Sequence, residues 1–280
     1  MIKKYFSSLQ SLSLLGLIAL TLASSCAGGK YAATEKLYKK KAKEFSKLYR
    51  QQPAIDQLDK VNASDKTWVS TINFGVRKPN FVVIHHTAQD SLGQTIRTFH
   101  SERAGVSAHY VIGRDGKVVQ MLNDLYRAHH AGLGKWGSDT DLNSSSIGIE
   151  LDNNGTTDVW TDAQINSLIA LLRYLKDTYK IPQANFIGHM DLAPTRKNDP
   201  ARLPWKKLAE QGFGYWYDDY LETPPVDFNP ALALRIIGYD IKNLDAAIQA
   251  FKIHYIQTNT TTTFSDEELK ILYSIYKKVL

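Results

Sequence analysis

The stretch Phe81-Val82-Val83-Ile84-His85-His86 decides the fold, because four consecutive apolar residues lead directly into two histidines. A short, uninterrupted apolar run of this kind is typical of a strand that is buried on both faces of a sheet. Such strands belong to α/β proteins, in which helices cover the sheet. We therefore predict that this run is a central strand of an α/β domain and that His85 ends it.

The α/β pattern extends on both sides of this strand, from about Trp68 to Trp216. The dipeptide Asp115-Gly116 is a strong hairpin signal and joins two β-rich runs. A helix is predicted over 92–105. The other predicted strands are 108–112, 117–122, 147–151 and 185–188.

Two patterns predict a helix after Thr161. Thr161 and Gln164 fit a capping box, in which each side chain bonds the backbone N–H of the other residue. An apolar stripe that must pack on a sheet follows at helical spacing, and Pro182 ends the helix. The stripe consists of Ile165, Leu168, Ile169 and Leu172.

The C-terminal residues predict a separate helical module. Thr223-Pro224-Pro225 is a stiff linker signal, and three helical segments follow it at 230–237, 244–256 and 265–280. None of these segments could bury its apolar stripe alone, so we predict a three-helix module over 223–280. Residues 67–222 then form the α/β domain.

The N-terminus has the pattern of an export signal. A positive start is followed by an apolar run that is shorter than the roughly 20 residues of a membrane span and that ends in small residues. The only cysteine of the chain, Cys26, follows directly and resembles the cysteine of a bacterial lipobox. We predict a signal peptide over 1–25, lipidation of Cys26 and a Lys-rich segment over 26–66, in which 30–52 form a helix or stalk. An ordinary signal peptide with an incidental cysteine is the alternative.

Composition excludes several classes of protein. A single cysteine is incompatible with an intramolecular disulfide framework, a Cys-rich zinc module or an iron–sulfur cluster. The net charge of +6 is small, and two of the lysines fall in the expected signal peptide, so we expect no nucleic-acid partner. The His-Glu-x-x-His and Gly-x-Ser-x-Gly signatures are absent from the sequence.

The histidines carry the chemistry. His85 and His189 each end a predicted strand, and Asp199 follows ten residues after His189. Two imidazoles and one carboxylate leave a fourth position for water, as at a catalytic zinc ion. We expect His100 and His254 to be structural or on the surface. The remaining histidines lie at strand ends or in loops: His86, His109, His129 and His130.

Six motifs make the sequence recognisable. They closely resemble the zinc N-acetylmuramoyl-L-alanine amidases of the amidase-2 family, and the resemblance covers about residues 80–216. It implies a mixed central β-sheet flanked by helices, and hydrolysis of the amide bond between N-acetylmuramic acid and L-alanine in peptidoglycan or muropeptides. In order, the motifs are Val83-Ile84-His85-His86-Thr87-Ala88, Val106-Ser107-Ala108-His109-Tyr110, His130-Ala131-Gly132, Ser146-Ile147-Gly148-Ile149-Glu150-Leu151, Gly188-His189-Met190-Asp191-Leu192-Ala193-Pro194 and Arg196-Lys197-Asn198-Asp199-Pro200.

The resemblance also implies roles for single residues. Glu150 and Lys197 match catalytic positions, and His130 matches a histidine that faces the substrate cleft. The expected Zn²⁺ ligands are His85, His189 and Asp199. Phage members of the family have a catalytic tyrosine where this chain has Ala108, which places more weight on Glu150. Chemically, Glu150 could move the water proton to the leaving amine and Lys197 could stabilise the oxyanion.

The lipobox-like cysteine, the linker and the C-terminal helical module resemble one lipoprotein branch of the family. This resemblance implies lipid anchoring in the cell envelope, at the outer membrane and facing the periplasm, and a C-terminal module similar to peptidoglycan-binding domains. We also expect the protein to be a monomer. Removing that module is then expected to weaken binding to the cell wall and to spare hydrolysis of small muropeptides. Three alternatives stay open: an amidase restricted to 1,6-anhydro-muropeptides, a recognition module without turnover and a structural lipoprotein.

Overall fold

The computed structural model describes residues 31–50 and 78–280. The predicted signal peptide and Cys26 lie outside this part of the chain. The chain divides into two compact units, residues 1–74 and 75–280. In the first, helix α1 (Ala32–Arg50) confirms the helix expected in the Lys-rich segment. Among the described residues, no helix combines the length and apolar character that crossing a membrane requires.

A five-stranded sheet forms the centre of the second unit, in the order β3-β2-β4-β1-β5. Strand β1 pairs in parallel with both β4 and β5, β2 is parallel to β4, and β3 is antiparallel to β2. The apolar residues at the centre of β1, Val82 to Ile84, are fully buried, as a central strand requires. The predicted fold class is therefore confirmed. The strands are β1 (Phe81–His86), β2 (Tyr110–Ile112), β3 (Val118–Gln120), β4 (Ser146–Leu151) and β5 (Phe186–Gly188).

The hairpin predicted at Asp115-Gly116 joins β2 and β3. The N–H of Gly113 donates to the carbonyl of Lys117 at 2.9 Å and closes the turn. Gly116 has φ +83°, and a Cβ there would lie 2.7 Å from the carbonyl oxygen of Ala163. Only glycine fits this position, because the backbone is left-handed and the neighbouring helix is in contact.

The helices of this unit pack around the sheet. The helix predicted over 92–105 ends earlier, because Ser101 has an extended backbone and a 3-10 turn (Glu102–Ala104) follows it. The helices are α2 (Leu92–His100), α3 (Leu142–Ser145), α4 (Asp162–Tyr179), α5 (His189–Leu192), α6 (Trp205–Glu210), α7 (Pro230–Ile237), α8 (Leu244–Tyr255) and α9 (Asp266–Val279), and a second 3-10 turn spans Gln183–Asn185.

Helix α4 begins where its N-cap predicts. The hydroxyl of Thr161 accepts the backbone N–H of Gln164 at 3.1 Å. The other predicted bond of the capping box, from the Thr161 backbone N–H to the Gln164 side chain, does not form, so that part of the prediction is wrong. The Gln164 amide instead donates to the carbonyls of Ile112 and Asp152, both at 3.1 Å. Gln164 is fully buried, so its amide bonds the backbone at the ends of β2 and β4 instead of its own N-cap.

The three C-terminal helices form at the predicted positions but share one hydrophobic core with the α/β part. Leu234, Phe251 and Ile275 belong to the same buried cluster as Phe186 and Trp205. The predicted boundary at residues 222/223 therefore does not coincide with a break in packing. A separate binding role of these helices stays a prediction.

Candidate metal centre and its surroundings

The order of the strands brings three distant parts of the sequence to one edge of the sheet. In the parallel pair β1–β4, His85 lies directly opposite Glu150. In the parallel pair β1–β5, Ile84 lies opposite Gly188, so His189 follows at the same level as His85. The carboxyl ends of parallel strands meet at one edge, which is where ligands of α/β proteins bind.

The loop after helix α5 returns Asp199 to this edge. Its turn is held by the carbonyl of Ala193, which accepts the N–H groups of Arg196 and Lys197 at 3.0 Å. The N–H of Met190 then donates to the carbonyl of Asp199 at 2.8 Å. These backbone bonds place the Asp199 carboxylate beside His189.

His85, His189 and Asp199 form a compact group of possible ligands. The Nδ1 atoms of the two histidines are 3.0 Å apart, and Oδ2 of Asp199 lies 3.2 Å from Nδ1 of His85 and 3.1 Å from Nδ1 of His189. Ligand atoms around a tetrahedral zinc ion lie roughly 3.3 Å from one another, given metal–ligand bonds of about 2.0–2.1 Å. All three residues are buried. The residues present therefore fit Zn²⁺.

The tautomer of His189 is fixed by a backbone group. Its Nε2 atom lies 3.0 Å from the carbonyl oxygen of Ala131, which can only accept. Nε2 therefore carries the hydrogen, and the lone pair of Nδ1 points at His85 and Asp199. Metal-binding histidines are oriented in this way by the bond that their other ring nitrogen makes.

The tautomer of His85 follows from a longer chain of hydrogen bonds. The Ser146 hydroxyl donates to the carbonyl of Leu142, so its oxygen is left to accept from Nε2 of His130 at 3.2 Å. Nδ1 of His130 is then the acceptor for Nε2 of His85 at 3.0 Å. The lone pair of His85 Nδ1 consequently points into the same group. Three lone-pair atoms this close repel one another unless a cation lies among them.

Gly148 makes room for this chain. A Cβ at that position of β4 would lie 2.4 Å from the ring of His130. The glycine within the apolar strand therefore allows the imidazole to pack directly on the backbone. The predicted substrate contact of His130 stays a prediction, whereas its contact with His85 is a feature of the structure.

The protonation states of the group suit a metal. Burial, and next the neighbouring His189, lowers the pKa of His85 to about 4, although Asp199 acts to raise it. Burial and the nearby His85 hold the pKa of His130 well below its ordinary value. Neutral imidazole and ionised carboxylate are the forms that bind metal.

Glu150 and Lys197 lie beside the group. The Oε2 atom of Glu150 is buried and has no hydrogen-bond partner among the residues that the structure describes. Burial, and next the charge of Asp199, raises the pKa of Glu150 to about 8, while Lys197 acts to lower it. A carboxyl group with a pKa near neutrality can both accept and release a proton. Lys197 is exposed, and its charge also lowers the pKa of His85.

The remaining histidines lie outside the ligand group. His109 is buried and structural, because its Nδ1 atom accepts the N–H of Gly148 at 3.0 Å and its Nε2 atom donates to the carbonyl of Tyr126 at 2.9 Å. His86 accepts the N–H of Ala201 at 3.3 Å, and His129 is exposed.

Sequence reasoning missed two buried partners of the site. Ser146 orients His130, and Asp191 bonds His254 and Tyr239 of the C-terminal part. The position of Asp191, two residues after His189, was the only available signal, since no spacing links it to its partners.

A polar cleft of about 370 Å³ opens beside Lys197, between the loop 194–198 and helix α8. Positively charged side chains line this cleft, together with side chains that carry hydroxyl and amide groups. Its lining residues are Pro194, Thr195, Arg196, Lys197, Asn198, Gln249, Ile253 and Thr260.

Residues 75–202 match the sequence profile of the Amidase_2 family, described as N-acetylmuramoyl-L-alanine amidase. The chain is 34% identical to the N-acetylmuramoyl-L-alanine amidase AmiD of Escherichia coli K12 over 209 residues, which are 63% of this chain and 75% of that protein. It is 45% identical to the 1,6-anhydro-N-acetylmuramyl-L-alanine amidase AmpD of Escherichia coli K12 over 95 residues, 34% of this chain and 51% of that protein.

Two solved structures are similar over most of their length. One is AmiD from E. coli in complex with the substrate anhydro-N-acetylmuramic acid-L-Ala-D-gamma-Glu-L-Lys, with a TM-score of 0.64 and 29% identity over 75% of this chain and 93% of that one. The other is AmpDh3 from Pseudomonas aeruginosa, with a TM-score of 0.65 and 28% identity over 78% of this chain and 98% of that one. AmpDh3 has also been solved in complex with anhydromuramic pentapeptide.

Proposed function

Because the chain belongs to the amidase-2 family of N-acetylmuramoyl-L-alanine amidases, we propose that it cleaves the bond between muramic acid and L-alanine with Zn²⁺ held by His85, His189 and Asp199. The observation that carries the metal assignment is the triangle of three ligand atoms, 3.0–3.2 Å apart, with both imidazole lone pairs directed inward. Amidase activity on peptidoglycan or its muropeptides is the function of the family.

Two residues beside the metal ligands are proposed to take part in the reaction, Glu150 in proton transfer and Lys197 in stabilising the oxyanion. Zn²⁺ held by these residues would lower the pKa of a bound water and polarise the scissile carbonyl. In this proposal Glu150 accepts a proton from the attacking water and returns it to the leaving amine. Its Oε2 atom supports this role, because it has no competing hydrogen-bond partner in the described chain. Lys197 supplies positive charge near the oxyanion that develops on the carbonyl oxygen.

The proposed substrates include 1,6-anhydro-muropeptides. AmiD and AmpDh3 have each been solved with an anhydromuramic peptide, and AmpD carries this specificity in its name. The predicted export of the chain favours action on intact peptidoglycan as well, where an enzyme in the envelope meets its substrate. Product analysis on purified sacculi and on anhydro-muropeptides separates a broad amidase from one that is restricted to anhydro ends.

Two variants of neighbouring residues test the metal proposal. Asp199→Ala removes a ligand and is expected to lower zinc content and activity together. Lys197→Met keeps much of the side-chain length and is expected to retain zinc, while kcat falls by about 10²–10³-fold, as for the loss of an oxyanion donor. Zinc stoichiometry is measured beside kcat and KM on one soluble muropeptide.

Either result can contradict the proposal. Full zinc content in Asp199→Ala would remove Asp199 from the ligand set. Near-normal kcat in Lys197→Met would remove Lys197 from the oxyanion. A wild-type protein that binds muropeptide but does not cleave it with zinc present would favour the recognition module.

We further propose that Cys26 is lipidated and anchors the protein in the cell envelope, at the outer membrane. The small residues before this single cysteine support the proposal. Cys26→Ser is expected to move the protein from the membrane fraction to the soluble fraction. Unchanged membrane binding of the variant would contradict the anchor.

A further inference from the structure

A buried carboxyl group lies two residues after the proposed metal ligand His189. Asp191 is 0% exposed and belongs to helix α5, which begins with the proposed ligand His189. Its two buried partners come from the C-terminal helical part: Tyr239, which follows helix α7, and His254 in helix α8. The cost of burying a carboxylate is severe unless hydrogen-bond donors surround it.

Both oxygens of Asp191 are occupied. Oδ1 accepts the hydroxyl of Tyr239 at 2.8 Å. Oδ2 accepts the N–H of Gly188 at 2.7 Å and contacts Nδ1 of His254 at 2.8 Å. Both oxygens of Asp191 are therefore bonded within the protein, and Asp191 does not belong to the group of possible metal ligands.

The bond between the Gly188 N–H and the Asp191 carboxylate spans the turn that carries His189. Gly188 precedes this ligand and Asp191 follows it, so the bond joins the two ends of the turn. Helix α5 has only four residues and cannot be stable through its own hydrogen bonds. The Ala131 carbonyl orients the His189 ring, whereas Asp191 holds the backbone from which that ring projects.

The partners of Asp191 are themselves held rigidly. The His254 ring stacks on Trp205, with centroids 4.0 Å apart, and on Tyr255, with centroids 4.2 Å apart. The Tyr239 ring meets Trp136 edge-on at 5.0 Å. These ring contacts fix the side chains of Tyr239 and His254. Through Asp191, the two residues therefore connect helices α7 and α8 to the turn at His189.

We infer that Tyr239 and His254 are positioning residues for the zinc ligand His189, so that the C-terminal helices help to build the metal centre. The inference rests on the proposed function, because it concerns the same ligand. It gives these helices a role inside the catalytic unit, beyond any contact with the cell wall. A purely structural role would affect stability and leave the affinity for zinc unchanged.

Three variants of the full chain test the inference. Tyr239→Phe and His254→Leu each remove one hydrogen bond to Asp191. We expect each to raise the zinc Kd about tenfold, at the lower end of the range for residues that orient metal ligands, because they act through Asp191 and the backbone. His254→Asn places an amide N–H near the original Nδ1 position and should return the zinc Kd close to that of the wild type.

A control variant removes a hydrogen bond from a buried hydroxyl elsewhere in the C-terminal helices. The hydroxyl of Ser274 in helix α9 is buried and donates to the exposed Asp218 at 3.0 Å, not to helix α5. Ser274→Ala should lower the Tm of the metal-free protein and leave the zinc Kd unchanged. The zinc Kd is measured by competition with a chromophoric chelator, and kcat and KM at saturating zinc.

The inference is overturned if Tyr239→Phe and His254→Leu lower the metal-free Tm but bind zinc as tightly as the wild type. Should His254→Leu fail to fold, Tyr239→Phe decides alone, since it removes a single hydroxyl group. A wild-type protein without affinity for zinc would overturn this inference and the proposed metal site together. Unchanged zinc affinity in the variants would overturn only the inference.

Discussion

At the scale of single residues, the metal centre depends on groups that do not touch the metal. Nε2 of His85 donates to Nδ1 of His130, and Nε2 of His130 donates in turn to the Ser146 hydroxyl. The direction of this chain is fixed by the Leu142 carbonyl, which can only accept. A serine and a second histidine therefore decide which nitrogen of His85 faces the ligand group.

His130→Ala removes the acceptor for His85. We expect the zinc Kd to rise about 10–100-fold, as when other ligand-orienting partners are lost. His129→Ala is the matched control, because the adjacent histidine is exposed and should have no effect. An unchanged zinc Kd in His130→Ala, combined with a raised KM, would instead support the substrate contact that the sequence predicts.

Glu150 should make the stability of the metal-free protein depend on pH. Burial, followed by the charge of Asp199, raises its pKa from 4.5 to about 8. Stability from a carboxyl group whose folded-state pKa is raised is complete below the unfolded pKa and is lost as the pH rises through the folded pKa. Wild type should therefore lose stability relative to Glu150→Gln between about pH 4.5 and pH 8.

The measurement is urea unfolding of both proteins in the presence of a chelator, at several pH values across this window. Because the two proteins share every other titratable group, the difference in unfolding free energy isolates Glu150. A difference that stays constant from about pH 5 to about pH 9 would contradict the raised pKa.

At the scale of elements, a helix-capping pattern in the sequence predicts the structure well where both hydrogen-bond partners lie within the same turn of the helix. The Ser265–Glu268 pattern, whose two partners are three residues apart, forms a capping box in both directions at the start of α9. Gln164 fits the same capping pattern but bonds two strand ends. Whether a capping residue is buried depends on which strands lie beside the helix, and spacing does not contain that information.

Gln164 therefore joins helix α4 to the sheet. Gln164→Leu removes the donor to the carbonyls of Ile112 and Asp152, of which the Ile112 carbonyl keeps the N–H of Asp152. We expect a loss of about 1–3 kcal/mol of unfolding free energy. Asn166→Leu changes an exposed position of the same helix and serves as the control. Chemical denaturation measures both. Equal stability of the two variants would show that other donors replace the Gln164 amide.

At the scale of the whole molecule, the group of possible metal ligands could be predicted because His85 and His189 lie at the ends of strands that the sequence marks clearly, and Asp199 follows ten residues after His189. The resemblance to a family added Glu150 and Lys197. The contact between Asp191 and the C-terminal helices could not be predicted, because its partners are 48 and 63 residues away and no periodicity connects them. The linker signal at Thr223-Pro224-Pro225 suggested independence where the structure has one shared core.

Removal of residues 223–280 tests this difference. The shared core and the bonds to Asp191 predict that the truncated protein loses stability, zinc affinity and hydrolysis of a small soluble anhydro-muropeptide. The linker signal alone predicts that only binding to sacculi is lost. Zinc content, the Tm and kcat/KM on the soluble substrate are measured on the monomeric fraction at low temperature, so that aggregation does not imitate the effect. Full activity of that fraction on the soluble substrate would identify the helices as a detachable binding module. His189 would then hold zinc without Tyr239 and His254, which contradicts their role as positioning residues.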